Sequence, residues 1–75
     1  MQSLYINGRD MGKISARRYT RVNLCGTPYN DWHFAMAGGY EIHVAGIQIK
    51  RFWQTVINRE TVIEIITYLE DENNE

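Results

Sequence analysis

Apolar and polar positions alternate through most of this chain, and a helical spacing replaces the alternation only near its end. In YINGRDMGKI, two short alternating runs flank Asn7-Gly8, the preferred two-residue type I′ turn. That turn pairs Ile6 with Arg9, Tyr5 with Asp10 and Leu4 with Met11. Leu4, Ile6 and Met11 then share one face, and Tyr5 shares the other with Asp10. Residues 18–25, RYTRVNLC, alternate again. Thr20, Val22 and Leu24 face one way, with Val22 and Leu24 assigned to the core, and Tyr19, Arg21 and Asn23 face the other. The next stretch, GTPYND, reads as a loop because Gly26, Pro28 and Asn30-Asp31 punctuate it.

Two more turns fall within WHFAMAGGYEIHVAGIQIKRFW. A two-residue hairpin at Gly38-Gly39 pairs Ala35 with Ile42 and His33 with Val44. The apolar phase then moves from Ile42 and Val44 to Ile47 and Ile49, which one continuous strand cannot bury on one face without a bulge. A second turn at Ala45-Gly46 removes the conflict, placing Val44 opposite Ile47 and Ile42 opposite Ile49. It also sets Glu41 against Lys50, an opposite-charge pair, and His43 against Gln48. Its strained point is Ala45, where a primed turn wants positive φ. Beyond residue 57 the period changes. Asn58 suits a helix N-cap, and Val62, Ile65, Ile66 and Leu69 recur as the stripe of an amphipathic helix. Glu60 and Glu64 favour its start, whereas Glu70, Asp71 and Glu72 oppose the dipole at its end.

The expected fold is therefore α+β: an antiparallel β-meander of about five to six short strands with one C-terminal amphipathic helix packed on one face. Residues 1–70 form a single small domain, and residues 71–75 an acidic, flexible tail. In this register Trp32, Phe34 and Met36 point away from Ile42 and Val44, and Phe52 joins them. They form an aromatic patch on the uncovered face unless the sheet curls and buries it. A contiguous exposed patch of that kind marks a binding surface.

Composition narrows the class. Seventy-five residues, 44% of them hydrophobic and 23% charged, fit one globular domain with a modest core and no deep pocket. A single cysteine, Cys25, excludes an intramolecular disulfide and a cysteine-based zinc site, and points to a reducing compartment. With no signal-like N-terminus and no apolar run of membrane-spanning length, the expected location is cytoplasmic, away from membranes. The charge is divided along the chain. Eight cations face three acids before position 60, whereas six acids and no cation follow from Glu60 onward. Such a dipolar chain suits a charged partner or two halves that neutralise one another.

Arg9, Lys13, Arg17, Arg18 and Arg21, with Tyr5 and Tyr19 nearby, resemble a single-stranded nucleic-acid surface, on which phosphates meet cations and bases stack on rings. Against this stand the net charge of −1 and the lack of an RNP-type aromatic motif. The acidic end could imitate a phosphate backbone. Catalytic signatures are missing. His33 and His43, placed by the Gly38-Gly39 hairpin on opposite faces, do not share a metal. Cys25 reads as a small core residue rather than a nucleophile. The glycines match turns, not phosphate-binding loops. No catalytic residue, metal or cofactor is expected.

The reading that follows is a small protein-binding module that acts without catalysis. An inhibitor of a host defence or nucleic-acid-processing protein complex, of the kind phages and mobile elements carry, is its class-level analogy. Its contact residues are Trp32, Phe34, Met36 and Phe52 with Arg17, Arg18 and Arg21, and self-association as a homodimer is a further candidate. The alternative is a single-stranded nucleic-acid binder using Arg9, Lys13, Arg17, Arg18, Tyr19 and Arg21.

Overall fold

The computed structural model describes residues 2–68. Six strands follow one another: β1 (Gln2–Ile6), β2 (Arg9–Val22), β3 (Pro28–Met36), β4 (Glu41–Ala45), β5 (Ile49–Ile57) and β6 (Glu60–Thr67). A single 3-10 turn, Gly46–Gln48, separates β4 from β5. Strands make up 75% of the structure, and no helix of seven residues or more occurs among the described residues, so the α+β expectation is corrected to an almost all-β fold.

The segment expected to be a helix is β6. Six of its eight residues, ETVIEIIT, are Thr, Val or Ile, whose branched side chains restrict χ1 in a helix and pack well on a pleated surface. The helical stripe left Ile63 unassigned. The strand phase buries Ile63 and Ile65, at 2% and 0% exposure, and turns Glu64 outward. Asn58 is no N-cap. Asn58 and Arg59 both adopt positive φ, 50° and 68°, and form a two-residue type I′ turn joining Ile57 to Glu60. Leu69, the acids Glu70, Asp71 and Glu72, and the expected tail lie outside the described residues.

The strand order is β4-β3-β2-β1-β6-β5, and β1 runs parallel to β6 while the other neighbours are antiparallel. The sheet is mixed, which corrects the antiparallel meander. Its two edge strands, β4 and β5, are consecutive in sequence. A three-residue link spans at most about 14 Å, so the sheet must curl until its edges approach. The result is a partly open barrel whose inside holds Leu4, Ile14, Phe34, Met36, Val44, Ile63 and Ile65. At the link, Gly46 passes so close to β3 that a Cβ there would lie 2.7 Å from the Asn30 carbonyl oxygen. The expected Ala45-Gly46 hairpin is thus a crossing between sheet edges, and β5 pairs with β6 rather than with β4.

The first hairpin matches its sequence. Asn7 and Gly8 have φ of 53° and 80°, Ile6 pairs with Arg9, and Tyr5 pairs with Asp10. A bulge then sets Leu4 opposite Gly12 instead of Met11. β2 continues unbroken to Val22, and Pro28 begins β3, so most of the expected GTPYND loop is strand.

The turn at Gly38-Gly39 differs from expectation by one residue, with large effect. Residues 37–39 form a three-residue loop, with Gly39 in left-handed φ of 86° and the Met36 N–H donating to the Tyr40 carbonyl at 2.8 Å. Phe34 therefore opposes Ile42, Trp32 opposes Val44, and His33 opposes His43. A one-residue slip exchanges the faces of a strand. The expected outward aromatic patch is accordingly turned inward: Phe34 is fully buried, Met36 is buried, and Trp32 and Phe52 are half-buried. Among the described residues, no helix is long and apolar enough to cross a membrane.

Candidate binding surfaces

Two regions outside the core concentrate side chains that could act on something else. The first is the outer face of β2, β3 and β4. Strand alternation turns Arg17, Tyr19 and Arg21 of β2 outward, with Asp31 and His33 of β3 and Glu41 and His43 of β4. The rings of Tyr19 and His33 lie 4.4 Å apart, tilted by 46°, and those of His33 and His43 lie 3.8 Å apart, tilted by only 8°. Three rings thus form a row across three strands. Each imidazole has a carboxylate two residues back on its own strand. His33 Nε2 lies 3.0 Å from Asp31 Oδ2, and His43 Nε2 lies 3.3 Å from Glu41 Oε1. The Arg21 guanidinium donates to the same Asp31 oxygen at 2.6 Å. Hydrogen bonding from His33, reinforced by Arg21, holds the Asp31 carboxyl below the usual aspartate value. A shallow hollow lined by Ser15, Arg17, Tyr19, His33, Ala35 and Glu41 lies over this row.

The second region is an arm. Among the described residues, β1 pairs with β2 as far as Ile14, and β4 pairs with β3 from Asp31 to Ala35. Residues 20–29 extend beyond both as a two-stranded ribbon, its ladder closed by Thr20–Asn30, Arg21–Tyr29 and Val22–Pro28. Its tip is fixed by Asn23. The Asn23 Oδ1 accepts hydrogen bonds from the Cys25 and Thr27 N–H groups, each at 2.9 Å. The Asn23 N–H donates to the Thr27 carbonyl, and the Gly26 N–H donates to the Asn23 carbonyl, both at 3.0 Å. On this braced loop Leu24 is fully exposed, Val22 is 64% exposed, and the Cys25 thiol is exposed. The assignment of Val22, Leu24 and Cys25 to the core is corrected, because the strand outruns the barrel that would have covered them.

The expected contact residues separate. Phe34 and Met36 are core. Trp32 and Phe52 stack at 4.8 Å, and the Arg18 guanidinium lies 5.9 Å from the Trp32 ring centre. Arg18 therefore sits on the inner phase, opposite Arg17, Tyr19 and Arg21. Arg9 opens β2 beside the first turn, paired with Ile6. Lys13 is engaged elsewhere, with Glu60 at 2.6 Å and the Ser3 hydroxyl at 3.2 Å. The basic cluster of the sequence is thus distributed over several surfaces. The expectation that His33 and His43 face opposite ways is also corrected, since both lie on the outer face and touch. A signal for this was present: aligning the apolar residues Trp32, Phe34 and Met36 with Ile42 and Val44 requires an odd-length loop, and the same shift brings the histidines together. Cys25 and the histidines do not meet, because five strand residues, about 17 Å, separate Pro28 from His33.

Comparison of the chain with protein families, curated proteins and solved structures finds no match.

Proposed function

We propose that this chain is a non-catalytic protein-binding domain that seats the tip of its β2–β3 arm in an apolar recess of a partner protein. The observation that carries the reading is Leu24, fully exposed on a loop whose backbone Asn23 braces at both ends. A two-stranded ribbon gains little by itself. An apolar tip on a braced ribbon loses little conformational freedom on docking, so more of its burial appears as affinity. Seating Leu24 would contribute roughly 1.5–3 kcal/mol, with Val22 adding to it. An inhibitor acts in this manner when the recess it fills is one its partner needs.

The test combines Val22→Ser with Leu24→Ser, substitutions that leave the barrel core untouched. Affinity capture with the wild-type chain should retain a discrete protein that the double variant loses while its circular dichroism stays the same. Equal capture by both chains contradicts the reading. Fluorescence anisotropy with single-stranded DNA, duplex DNA and RNA separates it from the alternative. Saturable, salt-sensitive binding that survives the double substitution and is lost in Arg17→Glu would put nucleic acid in the partner's place.

A further inference from the structure

We propose that His33, His43 and Glu41 form a binding site for a divalent transition-metal ion of the zinc class. One ligand atom from each residue lies within 4.8 Å of the others. In a tetrahedral zinc site with bonds near 2.0–2.2 Å, neighbouring ligand atoms are about 3.3–3.6 Å apart. The three groups need only draw together by roughly 1.5 Å or less.

The backbone supplies the arrangement. His33 and His43 are paired residues of adjacent antiparallel strands, and Glu41 lies two residues from His43 on the same face. Glu41 and His43 are exposed, and the 3.3 Å contact between Glu41 Oε1 and His43 Nε2 already holds two of the ligand groups side by side. The two imidazoles must tilt out of their parallel stack so that their lone pairs converge, a movement confined to side-chain torsions. His33 is the less mobile ligand, and Asp31 holds one of its ring nitrogens at 3.0 Å. A carboxylate on one nitrogen orients the ring and raises the basicity of the other, the arrangement found around most metal-bound histidines. Two imidazoles and one carboxylate leave a fourth position for water.

Arg17 lines the same hollow, and its charge opposes a cation there. Affinity therefore comes from imidazole ligation rather than from the local field. Zinc, copper and nickel suit such donors, whereas magnesium and calcium demand more oxygen ligands than the site offers.

Isothermal titration calorimetry of the untagged full chain with zinc chloride tests this, with magnesium chloride as control. One zinc per chain should bind, and magnesium should give no heat. His43→Gln should weaken zinc binding by at least about tenfold, as loss of a ligand requires. Glu41→Gln, also at an exposed position, should weaken it as well, and Cys25→Ser should leave it unchanged. Cobalt(II) should develop a visible absorption band that His43→Gln removes. Absence of zinc heat in the wild-type chain overturns the proposal. So does an unchanged affinity in His43→Gln, or loss of binding in Cys25→Ser with the histidines intact.

Discussion

His33 lies directly across the β3–β4 ladder from His43, ring against ring at 3.8 Å. The same register that joins them turns Phe34 into the core. The outer site and the core are therefore two sides of one pairing, and a test of either face tests both.

Phe34 provides that test. It has no exposed surface and packs among Leu4, Ile14, Val44, Ile63 and Ile65. Replacing it with Leu should cost about 1–2 kcal/mol in urea unfolding, because the smaller side chain leaves a void in a close-packed core. Under the slipped register Phe34 would be a surface residue, and the change would stay within about 0.5 kcal/mol.

Gly46 should not tolerate a side chain. A Cβ at this position would press on the Asn30 carbonyl, at 2.7 Å, and backbone cannot swing aside as a flexible side chain does. Gly46→Ala should destabilise the protein by about 1–3 kcal/mol, the usual cost of overpacking. Gly38→Ala is the control, since a Cβ there meets only the Tyr40 ring, at 3.0 Å. It should cost less in the same unfolding experiment.

Arg59 occupies the second position of the β5–β6 turn at φ 68°, a region that costs a non-glycine residue roughly 1–2 kcal/mol. The first hairpin solves the same geometry with Asn7-Gly8. Arg59→Gly should raise stability by about 0.5–1 kcal/mol, the relief of strain exceeding the added freedom of the unfolded chain. Thermal unfolding at two wavelengths measures it.

Much of the fold was legible where local chemistry has one solution. Asn-Gly specified the first hairpin, and the alternation of Leu4 and Ile6 specified its buried face. Two other stretches admitted two readings. At Gly38-Gly39, loops of two or three residues are both acceptable locally, and only matching Phe34 to Ile42 across the strands decides between them. In residues 60–67, the spacing of Val62, Ile65 and Ile66 fits a helix, and their branched side chains fit a strand. The parallel neighbour β1, fifty-nine residues away in sequence, decides that case. The arm misled for a related reason, since alternation in Val22 and Leu24 shows a strand but not where the covering layer ends. The metal-ligand cluster was hidden by the same one-residue choice at the glycine pair.

Acid should weaken the contact between β6 and β2. Glu60 accepts a hydrogen bond from the Lys13 ammonium at 2.6 Å, and that bond with the charge behind it lowers the Glu60 carboxyl from its ordinary value of 4.5. A carboxyl lowered by folding contributes stability that is present above the unfolded value and is lost as pH falls through the native one. Wild-type protein should therefore be more stable than Glu60→Gln at neutral pH, and the gap should close as pH falls below 4.5. A gap that is constant with pH would contradict the pairing. Because both side chains are well exposed, high salt should narrow the gap at neutral pH too.

The proposed role of the arm is tested most directly through its own thiol. Cys25 is the chain's single cysteine and is exposed beside Leu24 at the tip. A photoactivatable maleimide attached there should cross-link a discrete partner protein on illumination. The same probe on a Cys25→Ser, Thr55→Cys chain, carried by β5 instead, should not. Cross-linking from position 55 with none from Cys25 would place the binding surface elsewhere and contradict the account.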